Sequence, residues 1–291
     1  MSATIIDGKA ISLEIEGELK MRVDALRQNG VQPYLVVVLV GDDAASHVYV
    51  RNKQRACERT GVRSTRIDLP STSTQQEILG LISDLNDDES VHGILVQSPL
   101  PPGVDEFRIA DAIDPRKDVD GFHPTNLGRL VQGDTGGMLP CTPAGVMRLL
   151  EEIGVDLTGS KAVVLGRSRI VGMPMALLLA QKGVDATVTL VHSRSEDPSL
   201  LCRDADLLVS AIGRPGTIKP EWVKPGAIVI DVGVSRIKDG SVSSGSRLAG
   251  DVDPSVSEVA GWLTPVPGGV GPMTISMLLT NTVRAAEDPP S

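Results

Sequence analysis

Tyr49 and Lys53 stand four residues apart in Ser46-His47-Val48-Tyr49-Val50-Arg51-Asn52-Lys53. In a helix that spacing puts a phenol and an amine on one face. Gln97 closes the run Gly93-Ile94-Leu95-Val96-Gln97, and Ser98-Pro99-Leu100-Pro101-Pro102 follows, which cannot continue a sheet. Asp114-Pro115-Arg116-Lys117-Asp118-Val119-Asp120-Gly121-Phe122 gathers charge in a turn-rich stretch. The segment Thr264–Thr274 holds three glycines and three prolines, the pattern of a stiff ligand-facing loop. Gly166-Arg167-Ser168-Arg169-Ile170-Val171-Gly172 reads as a tight turn between a strand and a helix. Such a turn lets backbone approach a phosphate, and the helix start offers free N–H groups and partial positive charge. Ser168 stands where the dinucleotide pattern has its middle glycine, and an ordinary strand-to-helix turn has the same outline.

The next strand ends in His192-Ser193-Arg194-Ser195, with no carboxylate before Glu196. Sites for NAD place an acidic residue there for the ribose 2′-hydroxyl. Arg194, Ser193 and Arg167 suit a 2′-phosphate instead. The expectation is NADP rather than NAD. A Tyr-x-x-x-Lys pair also marks short-chain dehydrogenases, but those carry the nucleotide turn before the pair. Here it comes more than a hundred residues after, which argues against that reading.

The elements that must position these groups follow from apolar spacing. Ile11, Ile15, Leu19, Val23 and Leu26 recur at helical intervals, stopped by Gly30. Tyr34–Val40 is a continuous apolar run suited to a parallel strand covered on both faces. A helix over Ala44–Thr60, a strand over Ser64–Leu69, a helix from Ser73 or Thr74 to Leu85 and a strand over Gly93–Gln97 complete βαβαβ. Tyr49 and Gln97 then fall at the carboxyl end of a parallel sheet, where open α/β folds place ligands. A short helix near Asn126–Val131 and a helix over Pro143–Ile153, with Thr142 as N-cap, lead to a second α/β half. Its strands are expected over Lys161–Leu165, Ala186–Val191, Leu207–Ala211 and Ala227–Asp231, with helices over Val171–Gln181, around Ser199, and lastly Thr274–Ala286.

With 28 Lys and Arg against 37 Asp and Glu, the formal net charge is -9. General nucleic-acid binding needs the opposite balance. Two each of Phe, Trp and Tyr leave little for base stacking. Three widely spaced cysteines argue for a reducing compartment, and the scattered histidines predict no metal site. Neither a signal peptide nor a membrane span is expected. Cys141, at a helix start, reads as a small buried residue before it reads as a reactive thiol. His192 reads as structural or cofactor-adjacent, and Trp222 and Trp262 as packing residues.

Seven motifs in order, SxxYVxxK, VQxPLP, KDVDG, PCTP, GRSxxVGxP, DVG and PVPGGVGPMT, span nearly the whole chain. The sequence thereby resembles the bifunctional methylenetetrahydrofolate dehydrogenase/methenyltetrahydrofolate cyclohydrolase family. Ser98 departs from the pattern, which usually has Leu there. The resemblance implies hydride transfer from 5,10-methylenetetrahydrofolate to NADP, then hydrolysis of the methenyl cation to 10-formyltetrahydrofolate, in one-carbon metabolism and purine biosynthesis. It makes Lys53 the catalytic base, Gln97 its hydrogen-bond partner, Tyr49 the cover of the folate ring and Asp120 the pterin ligand. Pro267, Gly268 and Gly269 would also touch substrate. Gly166, Arg167, Ser168, Val171, Gly172, Ser193, Arg194, Ile212 and Gly233 would hold the cofactor.

A lysine base near neutrality needs its pKa lowered by roughly three units, or about 4 kcal/mol against the ammonium. Burial and a neighbouring substrate cation act in that direction. A carboxylate in the place of Gln97 would oppose it, so Asp120 is expected on the pterin side. The implied architecture is α/β with two domains. Residues 1–140 form a parallel-sheet catalytic domain, with the last helix, 273–291, packed back on it. Residues 141–272 form a Rossmann-like NADP-binding domain, with a cleft between the two. A cytoplasmic homodimer is implied, and no formate-activating domain is expected in 291 residues. Two alternatives stay open: a dehydrogenase without the hydrolytic step, and a non-catalytic NADP- or folate-binding module.

Overall fold

Tyr34–Val40 is buried at all seven positions, which explains its unbroken apolar run: both faces of this strand are covered. The computed structural model describes residues 2–240 and 245–288. In chain order the elements are β1 (Thr4–Ile5), α1 (Gly8–Gln28), β2 (Tyr34–Val40), α2 (Ala44–Thr60), β3 (Arg63–Leu69), α3 (Gln75–Asp87), β4 (Gly93–Gln97), α4 (Glu106–Ala112), α5 (Pro124–Val131) and α6 (Cys141–Glu152). They continue with β5 (Lys161–Leu165), α7 (Gly172–Leu179), β6 (Thr187–Val191), α8 (Pro198–Arg203), β7 (Leu207–Ser210), β8 (Ile228–Asp231), β9 (Ser235–Lys238), β10 (Ser246–Ala249), β11 (Trp262–Leu263) and α9 (Val270–Glu287). Short 3-10 helices lie at Pro220–Trp222 and Pro254–Glu258.

The chain divides into two units. One comprises Leu13–Cys141 and the chain from Ile275 onward. Its sheet is parallel, in the order β3-β2-β4. Val36, Val38 and Val40 of β2 pack with Ile78, Ile82 and Leu85 of α3 and with Ile109 and Ile113 around α4. Asp43 caps α2 by accepting from the Ser46 N–H, and Gly61, with φ +78°, ends it. Thr74 and Glu77 form a reciprocal capping box on α3. From α9, the Asn281 amide donates to the Val119 and Leu139 carbonyls, at 2.8 and 3.0 Å, tying two loops of this unit together.

The other unit comprises Thr142–Thr274 and the chain's start through Ser12. Six parallel strands run in the order β1-β11-β8-β7-β5-β6. The core includes Val163, Leu165, Val191, Leu208, Val229 and Leu263. An antiparallel hairpin, β9 with β10, stands apart from this sheet.

Three sequence expectations change. Residues up to Ser12 do not group with the rest of 1–140, because β1 pairs with β11. Thr142 is not an N-cap: α6 already starts at Cys141, and the Thr142 hydroxyl bonds to that of Thr274 at 3.0 Å. The glycine-proline loop is shorter than expected, since α9 begins at Val270. Residues 1 and 289–291 of the expected catalytic domain lie outside the described residues. Among the described residues, no helix is long and apolar enough to cross a membrane, and no cluster of His, Cys, Asp or Glu is arranged for a metal.

Candidate active site

Lys53 lies one turn beyond Tyr49 on α2. Its side chain is buried, with the residue 7% exposed, whereas Tyr49 is 44% exposed. The helix is aimed by its Asp43 cap directly after β2. Gln97 ends β4 opposite Leu39 of β2, at the carboxyl end of the same sheet. The Lys53 Nζ donates to Gln97 Oε1 at 2.9 Å. The Gln97 Nε2 donates to the Ser98 carbonyl at 2.8 Å. That second bond fixes the amide with its oxygen toward the amine. Ser98, the one departure from the motif, contributes only its backbone to these bonds.

Burial lowers the Lys53 pKa, because a desolvated ammonium loses hydration that the neutral amine does not need. The field of Asp120 opposes this and favours the ammonium. Asp120 is partly buried, which pushes its carboxyl up, while the Lys53 charge pulls it down. Asp120 and Lys53 thus share one electrostatic neighbourhood. The lysine's hydrogen bond nevertheless goes to a neutral amide.

The KDVDG segment divides its labour. Lys117 is buried and donates to the carbonyls of Leu85, Asn86 and Asp88 at 3.0, 2.7 and 2.7 Å, closing the end of α3. Asp118, also buried, accepts from the His123 N–H and the Asn126 amide. These charged neighbours are structural and fasten the segment that carries Asp120. Cys141 donates its thiol to the Val119 carbonyl at 3.2 Å, and burial holds its pKa well up. It is a packing residue, not a nucleophile.

In the other unit the glycine turn follows β5. A Cβ on Gly172 would collide with the Gly166 carbonyl, and one on Gly166 with the Ala211 carbonyl. Only glycines let this turn close. The helix start is less open than expected. Ser168 Oγ accepts from the N–H groups of Val171 and Gly172 at 3.2 and 3.4 Å, and the Ser168 carbonyl accepts from Met173 at 3.0 Å. The donors at the start of α7 are thus engaged within the turn, so the basic side chains are the main attraction for a phosphate there. Arg167, after β5, and Arg194, after β6, are exposed, as is Ser193. His192 Nδ1 accepts from the Arg194 N–H at 3.2 Å, a structural bond.

Sequence reasoning missed Arg214, a third exposed arginine, after β7. Among the described residues none of Arg167, Arg194 and Arg214 forms an ion pair. Strands β6, β5 and β7 are neighbours in the sheet, so one edge carries all three. The available signal was a strand followed by Ala-Ile-Gly-Arg.

Also missed was a pair of buried carboxylates. Asp231, at the end of β8, accepts from the N–H groups of Gly233, Asp251 and Val252 at 3.0, 3.0 and 2.9 Å. Burial pushes its carboxyl up to about 6 against these bonds. Gly233 is a glycine because a Cβ would collide with Asp251, and Ile212 donates its N–H to Asp251. Gly268 and Gly269 also have structural reasons, backbone conformation for the first and packing for the second. The Gly268 carbonyl accepts from the Lys9 N–H at 2.9 Å, and a Cβ on Gly269 would come within 2.7 Å of Thr264 Cβ. Gly268 itself has φ +110°.

A nucleotide would find a glycine cradle and exposed arginines here, so the residues present fit a dinucleotide with an extra phosphate. Two family models match the chain. "Tetrahydrofolate dehydrogenase/cyclohydrolase, catalytic domain" covers residues 6–120, and "Tetrahydrofolate dehydrogenase/cyclohydrolase, NAD(P)-binding domain" covers 140–289. Bifunctional protein FolD of Chlorobium limicola is 53% identical over 288 residues, 97% of each chain. A crystal structure of the bifunctional FolD enzyme of Campylobacter jejuni is 48% identical with a TM-score of 0.93, covering 98% of this chain and 99% of that one. The Trypanosoma brucei enzyme, solved with NADP cofactor and inhibitor, is 42% identical with a TM-score of 0.93, covering 99% and 98%. A buried lysine on a glutamine at one sheet edge, a basic glycine turn at another and similarity along the whole length lead to one assignment: the chain belongs to the tetrahydrofolate dehydrogenase/cyclohydrolase family.

Proposed function

We propose that the protein oxidises 5,10-methylenetetrahydrofolate to the methenyl compound with NADP and hydrolyses that to 10-formyltetrahydrofolate. The observation that carries this reading is the Lys53 amine, hidden from water and bonded to an uncharged amide. NADP, when bound, accepts the hydride. Hydride departure leaves a cation shared by two nitrogens, and this step asks the protein for alignment rather than a strong base. Water attack on that cation asks for a base, and the neutral Lys53 amine takes the proton. Gln97 accepts from the amine and holds it in place without a negative charge. The half-exposed Tyr49 ring covers the folate. Asp120 binds the pterin, its two oxygens matching an amino group and a ring N–H.

Pro267, Gly268 and Gly269 line the substrate. Arg167, Ser168, Ser193 and Arg194 hold the cofactor's phosphates, joined by Arg214, while Val171, Gly172, Ile212 and Gly233 offer backbone. The reading extends to a homodimer in the cytoplasm that serves purine biosynthesis. Three free, buried cysteines fit a reducing compartment.

The test is a spectrophotometric assay with methylenetetrahydrofolate. Methenyl absorbance rises with NADP reduction and then decays. Accumulation without decay leaves only a dehydrogenase, and no signal leaves a binding module. NAD efficiency equal to or above that of NADP defeats the cofactor assignment.

A further inference from the structure

Asp251 is 0% exposed and sits far in sequence from the groups it binds. Its Oδ2 accepts from Ser210 Oγ at 3.1 Å and from the N–H groups of Ile212 and Gly213 at 2.8 and 3.2 Å. Its Oδ1 accepts from the Arg214 N–H at 2.7 Å. Three consecutive backbone N–H groups pointing at one anion form a nest, the kind of concavity that elsewhere receives a bound anion. Here the protein's own carboxylate fills it. Asp251 is held in turn by Asp231, which accepts its N–H.

The fit has no slack. A Cβ on Gly233 would collide with Asp251, and one on Gly250 with Asp231. The loop is also keyed to the glycine turn. Ala211 N–H donates to the Leu165 carbonyl at 2.8 Å, and the Ala211 carbonyl occupies the space a Cβ on Gly166 would need.

We infer that Asp251 is a positioning residue: seated on Asp231, it shapes the Ile212–Arg214 loop in advance of the cofactor. The inference rests on the reading of this sheet edge as the NADP site. A loop already ordered loses less freedom on binding, so affinity gains without any contact from Asp251 itself.

Two measurements test it. The first is hydrogen exchange on the wild-type protein without cofactor. The amides of Ile212, Gly213 and Arg214 are expected to be protected before NADP is added. Protection that appears only on adding NADP overturns the inference, and this arm needs no variant to fold. The second is NADP titration of Asp251→Asn, which places an amide N–H where an acceptor is needed. At least a tenfold loss of NADP affinity is expected, with hydrolysis of methenyltetrahydrofolate, whose base Lys53 and its partner Gln97 lie in the other unit, within twofold of wild type. Wild-type affinity in Asp251→Asn overturns the inference, and so does an equal loss of both activities. If the wild-type protein itself does not bind NADP, the functional reading fails and the inference falls with it. That result is distinct from a failure of Asp251→Asn alone.

Discussion

A lysine is a useful base only as the neutral amine, and at position 53 two influences compete. Burial favours the neutral form and Asp120 favours the ammonium. The neutral fraction grows as pH rises through the pKa. Hydrolysis should therefore rise with pH through a midpoint below the usual lysine value of 10.5 and level off above that midpoint. Asp120→Asn removes the opposing field, and a pH–rate profile of kcat should show the midpoint moving to lower pH. An unmoved or higher midpoint would mean that Asp120 does not act on the amine. Lys53→Met should lower hydrolysis by about 10²–10⁴-fold, the usual reach of a general base, with NADP affinity unchanged by titration. The Lys53–Gln97 bond was legible because each residue sits in a short motif. Asp251 was not: its partners Ser210 and Arg214 lie 41 and 37 residues away, and no local spacing announces them.

At the scale of elements, the glycine turn shows why a pattern can be right in place and incomplete in reason. The sequence suggested glycines that let backbone approach a phosphate. The structure adds that Gly166 and Gly172 let the turn close on itself and on the end of β7. Gly172→Ala should cost about 3 kcal/mol, at the upper end for overpacking, because its neighbour is backbone that cannot rotate away. Chemical denaturation that gives a midpoint equal to wild type would reject this. Long periodic elements such as α1, β2 and α3 were legible from apolar spacing. Strands β1 and β11, two residues each, carry no period at all and exist because they add to an existing sheet edge. The short α4 and the β9–β10 hairpin also lacked a usable repeat.

For the whole molecule, a net charge of -9 has to be reconciled with two anionic ligands. Three exposed arginines at one sheet edge do so locally. Arg194→Ala should lower kcat/KM with NADP by about 10–100-fold, the worth of one charge-assisted bond, and leave the value with NAD nearly unchanged. Added salt should narrow the wild-type preference for the same reason. An equal fall with both cofactors would show that Arg194 does not read the 2′-phosphate. The bonds made by Asn281 carry a different consequence, for synthesis on the ribosome. They reach back 162 residues to Val119. At about 5–20 residues per second, the loop that carries Val119 waits on the order of ten seconds or more for its clamp. Strand β1 likewise waits for β11. Each unit is thus completed only by residues made late. Strand β2 finds β3, β4 and α3 early, but a chain terminated before Asn281 leaves the Val119 and Leu139 carbonyls without the donor that ties their loops together.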